Sequence, residues 1–310
     1  MLIALLYFVG GLIALTLAAD RFVLSAGRLS RALGLSPILI GALVIGLGTS
    51  APEMLVSGLA AGRGEIDIAI GNVIGSNTAN LSLVLGSTAL VSVIVARVAT
   101  IVREGALMFG AMVVATLLLW NLQLARWEAG LLLLGMVVTG FLLVRWAQED
   151  PGTVGVAGGD TEENVRVPIE ALIGLGALAL TLLGADFLVR GASRMATELG
   201  ISAAFVGLVI VSVGTSLPEL ATALAAARRN ETDLVLGNLV GSNLFNTFAV
   251  LGIAGMVGPG AVSGEFKGAI IYMLVVGAVA GVFVLSGRRL QRWQGAVLLT
   301  LFMGFVALSA

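Results

Sequence analysis

The stretch GTSAPEMLVSGLAAGRGEIDIAIGNVIGSN, residues 48–77, decides the fold because it sets one carboxylate, Glu53, in a largely apolar run. The same arrangement returns as GTSLPELATALAAARRNETDLVLGNLVGSN, residues 214–243, with Glu219 in the matching position. An ionised group at the centre of a membrane helix costs about 2.5–3.5 kcal/mol on insertion scales, so such groups usually mark functional sites. Two carboxylates in matched frames therefore indicate a function that needs both.

The composition is that of an integral membrane protein. Of the 310 residues, 58% are hydrophobic and 11% are charged, and the mean hydropathy is +1.08. The chain has no histidine and no cysteine, which excludes the usual zinc sites, histidine-dependent triads and disulfides. Its single lysine, Lys267, lies outside any GxxxxGK[ST] motif, so the chain is not an ATP-driven pump of that type. We expect no enzyme activity, no cofactor, no nucleic-acid partner and no obligate protein partner.

The apolar runs predict an all-α polytopic membrane protein. Each run has the length of about 20 residues that a helix needs to cross a bilayer. A polar, acidic and glycine-rich segment, residues 147–167, separates a first repeat, residues 1–146, from a second, residues 168–310, and is expected to be a cytoplasmic linker. The ten predicted spans are residues 2–19, 35–61, 68–95, 104–123, 127–146, 168–186, 200–227, 232–257, 267–286 and 292–309.

The two halves are copies of one another. An alignment that places residue 20 on residue 186, here called the repeat alignment, continues to residue 86 on residue 252 without a gap. About two in five of the aligned positions are identical, far above chance even for apolar sequence. The most similar parts are motif regions at residues 41–86 and 207–252. Because each half has an odd number of predicted spans, the second half must enter the membrane from the opposite side, which gives an inverted-topology repeat.

The basic residues predict an orientation in the cell membrane. Arg and Lys divide about 12 to 5 between the odd-numbered and even-numbered loops. Loops rich in basic residues stay in the cytoplasm, so the odd loops, including the acidic linker, are expected inside. Both termini are then expected outside the cytoplasm.

The motif GTS[AL]PE predicts a break in the second span of each half. Proline removes a backbone donor, and the carbonyls freed at membrane depth must be buried in protein or line a cavity. Glu53 and Glu219 each follow the proline directly, so each carboxylate is presented at the break. Hydroxyl and backbone oxygens on the preceding turn come from Thr49, Ser50, Thr215 and Ser216.

The motif GN[VL][IV]GSN opens the third span of each half. Its glycines form GxxxG pairs, which most often serve helix packing alone. Polar residues follow at i, i+4 spacing and so share one helix face, namely Ser76 and Asn80 in the first half and Ser242 and Asn246 in the second. Oxygen donors without nitrogen or sulfur ligands suit calcium, sodium or magnesium.

Other polar groups in the repeats have simpler interpretations. Membrane serines and threonines often bond to their own helix. Asp20 lies next to an arginine and Asp186 lies four residues before one, and both are at predicted span ends. A topological or capping role is therefore favoured over transport. The acidic residues of the short loops are expected to form a solvated face, with guarding of an entry vestibule as the alternative; they are Glu65, Asp67, Glu231 and Asp233.

These motifs resemble the alpha-1 and alpha-2 repeats of the prokaryotic sodium/calcium exchangers in the cation/calcium exchanger superfamily, through GTSAPE, GNVIGSNTAN, GTSLPE and GNLVGSNLFN. The resemblance implies ten helices, of which the second, third, seventh and eighth surround four adjacent cation sites. It also implies that the first and sixth helices slide across this core. Many prokaryotic and potassium-dependent relatives carry aspartate in place of Asn246, so potassium dependence is not expected.

The resemblance also implies a role for each site residue. Glu53 and Glu219 would be ligands shared by calcium and sodium, joined by the backbone carbonyls of Thr49 and Thr215. Flanking sodium sites would be completed by Ser50, Ser76, Ser216 and Ser242, and the central site by Asn80 and Asn246.

The resulting interpretation is a secondary antiporter that extrudes calcium by letting sodium run inward. Calcium/proton exchange is the nearest alternative, because the same glutamates could carry protons. A passive cation channel would also use paired broken helices, but its flux would be uncoupled. An intramembrane hydrolase is disfavoured because histidine is absent and neither glutamate motif resembles a protease dyad.

Overall fold

The computed structural model describes residues 2–34, 37–95, 101–149, 165–198, 212–264 and 266–309, and these residues are almost entirely helical. The helices are α1 Leu2–Leu33, α2 Gly41–Thr49, α3 Ala51–Gly62, α4 Ile66–Val91, α5 Val102–Asn121, α6 Arg126–Glu149, α7 Val167–Glu198, α8 Ser212–Thr215, α9 Leu217–Arg228, α10 Thr232–Val257, α11 Phe266–Gly287 and α12 Arg292–Ser309. A helical turn, Pro37–Ile40, leads into α2.

Within the described residues, seven helices are long and apolar enough to cross a membrane by themselves. The pair α2 and α3 makes one further, bent span, and Arg292–Leu308 in α12 is a shorter apolar helix. The start of the predicted seventh span and most of the predicted linker lie outside the described residues. The fold is therefore an all-helical, multi-pass membrane protein, and the count of ten spans stays a prediction.

Two helices extend well past their predicted ends. The hydropathy pattern ends the first span at residue 19 and the sixth at residue 186, whereas α1 continues to Leu33 and α7 to Glu198. Asp20 and Asp186 therefore lie within continuous helices and do not cap a helix end. Hydropathy marks where a helix leaves apolar surroundings, and the backbone stays helical beyond that point.

Both predicted breaks occur, and each falls on a serine. Ser50 has φ −82° and ψ 6°, and Ser216 has φ −89° and ψ 5°, outside the helical range. Pro52 and Pro218 follow in the first turn of the next helix, where a missing N–H costs least. The axes of α2 and α3 meet at a bend of 48°.

The centre of the molecule consists of α4 and α10. Of the most apolar window in each helix, 83% is buried in α4 and 100% in α10, against 28% in α1, α5 and α11. Gly41 in α2 lies against the backbone of α10 so closely that a Cβ there would meet the Leu234 oxygen at 2.9 Å. Gly241 belongs to the GxxxG pair of the second repeat and lies at this contact, because a Cβ on it would have no room against Ala42.

Two short ribbons join the repeats at their loops. Strands β1 Ile94–Val95 and β4 Arg289–Leu290 pair antiparallel, as do β2 Gln123–Leu124 and β3 Gly260–Ala261. Extended to these loops, the repeat alignment places β1 on β3 and β2 on β4, so each ribbon pairs one strand of the first repeat with one of the second.

The helix α1 packs along α7 outside this core. Near the crossing, Gly184 lies so close that a Cβ there would be 2.5 Å from the Leu15 nitrogen. Glu170, at the start of α7, is buried and accepts hydrogen bonds of 2.8 Å from both Arg21 and Ser25 of α1. Asp20 pairs with Arg229, which directly follows α9. Apolar packing and ion pairs therefore hold α1 both to α7 and to the core.

Candidate cation-binding site

The two glutamates lie at the breaks, and each is bonded by a serine of the other repeat. Ser50 Oγ donates to Glu219 Oε1 at 3.1 Å, and Ser216 Oγ donates to Glu53 Oε1 at 3.4 Å. Each glutamate is only 1% exposed. The repeat alignment places Ser50 on Ser216 and Glu53 on Glu219, so the two hydrogen bonds are equivalent. The two breaks are therefore related by the local symmetry of the repeat.

The remaining oxygen of each carboxylate is buried without a hydrogen-bond partner, as are polar side-chain atoms of α4 and α10. Buried polar groups in proteins are nearly always hydrogen-bonded, so unpaired ones call for an explanation. Asn77 Oδ1 and Asn243 Oδ1, outside the proposed ligand set, are unpaired in this way, but most of the unpaired atoms belong to residues proposed as ligands. They are Glu53 Oε2, Glu219 Oε2, Ser76 Oγ, and both polar side-chain atoms of Asn80 and of Asn246.

The threonine and serine hydroxyls of the motifs differ in what they offer a cation. Thr49 Oγ1 donates to the Ile45 carbonyl at 2.9 Å, so the group that Thr49 can offer is its backbone carbonyl. Ser242 Oγ donates to Asn238 Oδ1 at 3.3 Å, whereas its equivalent Ser76 Oγ is unpaired. The hydroxyls are therefore less symmetric than the carboxylates.

The chain also changes helix type at the two predicted asparagine ligands. A π-helical segment, Asn80–Val84, interrupts α4, and another, Phe245–Val250, interrupts α10 around Asn246. Such π-bulges often occur at functional sites because they rotate side chains and loosen the backbone ladder. Both asparagines are completely buried.

Sequence reasoning missed Asn72 and Asn238. Asn72 Nδ2 donates to Ser57 Oγ at 2.9 Å and lies 3.4 Å from the Glu53 carbonyl oxygen. Asn238 Nδ2 donates to Thr222 Oγ1 at 3.2 Å and lies 3.4 Å from the Glu219 carbonyl oxygen. The signal that could have found them is the i, i+4 spacing already used, since each asparagine precedes its motif serine by four residues.

Charge restricts what this arrangement can hold. Among the described residues, no group of three or more acidic side chains is placed to bind a metal ion, so the pair Glu53 and Glu219 supplies the negative charge of the site. Two ionised carboxylates balance one divalent cation. Carboxylate, amide and hydroxyl oxygens are ligands for hard cations, which makes calcium and sodium suitable occupants by their chemistry.

Comparisons with known proteins agree with this chemistry. The family described as sodium/calcium exchanger protein matches residues 3–145 and 170–310. The chain is 37% identical to the putative antiporter CaxA of Alkalimonas amylolytica over 98% of both chains. It is 28% identical to the sodium/calcium exchanger MaX1 of Methanosarcina acetivorans, over 96% of this chain and 95% of that one.

A solved structure with the same architecture is that of the sodium-calcium exchanger NCX_Mj soaked with Na+ and Sr2+. Its TM-score is 0.85 and its sequence identity 29%, and the match covers 99% of this chain and 98% of the other. The same exchanger soaked without Na+ and Ca2+ also gives a TM-score of 0.85. The chain described here therefore belongs to the sodium/calcium exchanger protein family.

Proposed function

We propose that the protein exchanges sodium for calcium across the cell membrane, and that both ions compete for Glu53 and Glu219. The observation that carries this proposal is the pair of buried carboxylates with one unpaired oxygen each, bonded reciprocally across two broken helices. The names of the relatives CaxA, MaX1 and NCX_Mj support antiport of this kind.

The ligand set combines the two carboxylates with neutral oxygens. The backbone carbonyls of Thr49 and Thr215 contribute in this proposal because each residue ends its helix at a break, where carbonyls commonly lack an intrahelical donor. The other ligands in this proposal are the side chains of Ser50, Ser216, Ser76, Ser242, Asn80 and Asn246. Ser76 and the two asparagines are supported by their unpaired buried atoms.

The charge of the site provides the coupling. An empty site carries two negative charges, and moving them through the low-dielectric part of the membrane is costly. One calcium ion neutralises the pair, and sodium ions do so as well. Only the loaded site changes its access from one side to the other, so each crossing carries ions and the two fluxes are obligatorily linked.

The inverted repeat gives the two access states in this proposal. Two halves of similar structure and opposite orientation can exchange conformations, which opens the same site first to one side and then to the other. If one net charge moves per cycle, the membrane potential contributes about 2.3 kcal/mol per 100 mV. Sodium running inward down its gradient would drive calcium out of the cytoplasm, so the direction of physiological transport in this proposal is calcium extrusion.

The test is radiolabelled calcium uptake into proteoliposomes. Vesicles loaded with sodium are diluted into sodium-free buffer, and the wild type is compared with Glu53→Gln and Glu219→Gln. We expect uptake that requires internal sodium and is lost in both variants. The control is Glu65→Gln, which removes an exposed carboxylate outside the site and is expected to leave uptake unchanged.

Two outcomes would contradict the proposal in different ways. Uptake driven by a pH gradient alone, without sodium, would indicate a calcium/proton antiporter that uses the same glutamates. Calcium flux that needs no counterion and survives in both glutamine variants would remove the exchange mechanism altogether.

A further inference from the structure

A polar stripe runs along α4, and a matching one runs along α10. The first consists of Asn72, Ser76 and Asn80 at successive i, i+4 positions, and Asn238 begins the second. Within the first stripe the buried side chains differ in their partners. Asn80 and Ser76 have unpaired polar atoms, whereas both polar atoms of Asn72 have partners.

The partners of Asn72 come from both broken helices. Its amide nitrogen lies 2.9 Å from Ser57 Oγ and 3.4 Å from the Glu53 carbonyl oxygen, both in α3. Its amide oxygen lies 3.4 Å from the hydroxyl of Thr215, which ends α8 in the other repeat. One planar side chain therefore contacts the helix that carries one glutamate and the end of the helix that precedes the other.

Asn238 has closely similar partners in the second repeat. Its nitrogen contacts Thr222 and the Glu219 carbonyl of α9. Its oxygen accepts from Ser242 Oγ at 3.3 Å and lies 3.4 Å from Thr49 Oγ1, at the end of α2. The repeat alignment exchanges Asn72 with Asn238 and Thr215 with Thr49. The two asparagines are only 6% and 1% exposed.

The chemistry of the carboxamide explains why asparagine occupies this position. A carbonyl oxygen can only accept, so the nitrogen with its two N–H donors must face Glu53 O and Ser57 Oγ, and the oxygen must face the threonine. Aspartate would place an acceptor against a carbonyl, and leucine would leave buried polar groups unpaired, which is destabilising.

From these contacts we infer that Asn72 and Asn238 are positioning residues, which set the distance between each glutamate and the threonine of the opposite repeat and thereby tune cation affinity. This inference rests on the proposed function and adds a specificity-determining pair that binds no ion. Partners behind metal ligands act in this way elsewhere, and their loss typically weakens metal affinity about 10–100-fold.

The test is direct calcium binding by the full-length protein in detergent, measured calorimetrically in sodium-free buffer. We expect Asn72→Ala and Asn72→Leu to raise the calcium dissociation constant about tenfold or more, to similar extents. Asn238→Ala should act in the same way. Ser57→Ala should have a smaller effect of the same sign, because Asn72 then keeps its contacts with Glu53 and Thr215.

A purely structural role would give another result. It would lower the midpoint of thermal unfolding without calcium and leave the dissociation constant of the folded protein unchanged. The matched control is Thr181→Val, which removes a buried hydroxyl bonded only to Ala177 O of its own helix and should leave calcium affinity unchanged.

The outcomes separate this inference from the proposal on which it rests. Wild-type affinity in the Asn72, Asn238 and Ser57 variants, together with normal binding by the wild type, would overturn the positioning role alone. Failure of the wild type to bind calcium would overturn the proposed function and the positioning role with it.

Discussion

Each carboxylate of the candidate site is bonded by the opposite repeat. Glu53 is contacted by Ser216, and Glu219 by Ser50. Neither half could therefore build the site alone, since its glutamate would lack its bonding partner. The cost of burying two like charges together is offset when a cation lies between them or when a carboxyl group takes up a proton.

We expect the neutral asparagines Asn80 and Asn246 to influence the preference for ion charge. Asn246 has two unpaired buried atoms, and we expect Asn246→Asp to bring a third negative charge to the site. An added unit charge attracts a dication twice as strongly as a monocation. Calcium affinity should therefore rise relative to sodium affinity by about tenfold or more, or ~1.4 kcal/mol. The measurement is calcium binding in the presence of increasing sodium.

The matched control for this substitution is Asn121→Asp. Asn121 is exposed, and its Oδ1 accepts a hydrogen bond from the Gln123 amide, which an aspartate can also accept. Its calcium-to-sodium preference should equal that of the wild type. An unchanged preference in Asn246→Asp would place residue 246 away from the bound cations.

At the scale of elements, the close packing of α1 on α7 depends on glycine. Gly184 leaves no space for a Cβ against the backbone of Leu15, so the two helices would have to separate to accept one. We expect Gly184→Ala to destabilise the folded protein by about 1–3 kcal/mol, as overpacking does elsewhere. The measurement is the midpoint of thermal unfolding in detergent.

Another glycine of α7 provides the control. Gly176 is exposed, and a Cβ on it would meet nothing within 4 Å. Gly176→Ala should be neutral or slightly stabilising, because alanine is the better helix former. Equal unfolding midpoints for the two alanine variants would show that the α1 and α7 contact contributes little to stability.

Sequence patterns predicted the breaks and the paired glutamates because proline chemistry and the cost of a buried charge act locally. They also located α4 and α10, because the polar motif near the start of each helix stands out within an apolar run. They did not predict that α1 continues to Leu33, because hydropathy reports surroundings and not backbone conformation. They also missed Asn72, whose partners Ser57 and Thr215 are brought to it only by tertiary packing.

At the scale of the whole molecule, odd-numbered loops contact odd-numbered loops, and even-numbered loops contact even-numbered loops. Loops are counted between predicted spans. β1, at the end of the third span, pairs with β4 in the ninth loop, and Arg229 of the seventh loop pairs with Asp20 beside the first. In the even loops, β2 pairs with β3, and the Ser263 amide donates to Asp67 at 2.9 Å. This grouping supports an alternating arrangement in which odd loops lie at one end and even loops at the other.

The absence of native cysteine makes the orientation directly testable. Ser286→Cys introduces an exposed thiol at the end of α11, toward an odd loop, and Asn121→Cys introduces one at the end of α5, toward an even loop. In intact cells, a membrane-impermeant maleimide should label Asn121→Cys at once and Ser286→Cys only after permeabilisation, because the odd loops carry most of the arginines and are therefore expected in the cytoplasm. The reverse pattern would contradict the orientation alone. Labelling of both from outside would contradict the alternation itself, and with it the inverted repeat, because opposite entry of the two halves requires these loops to lie on opposite faces.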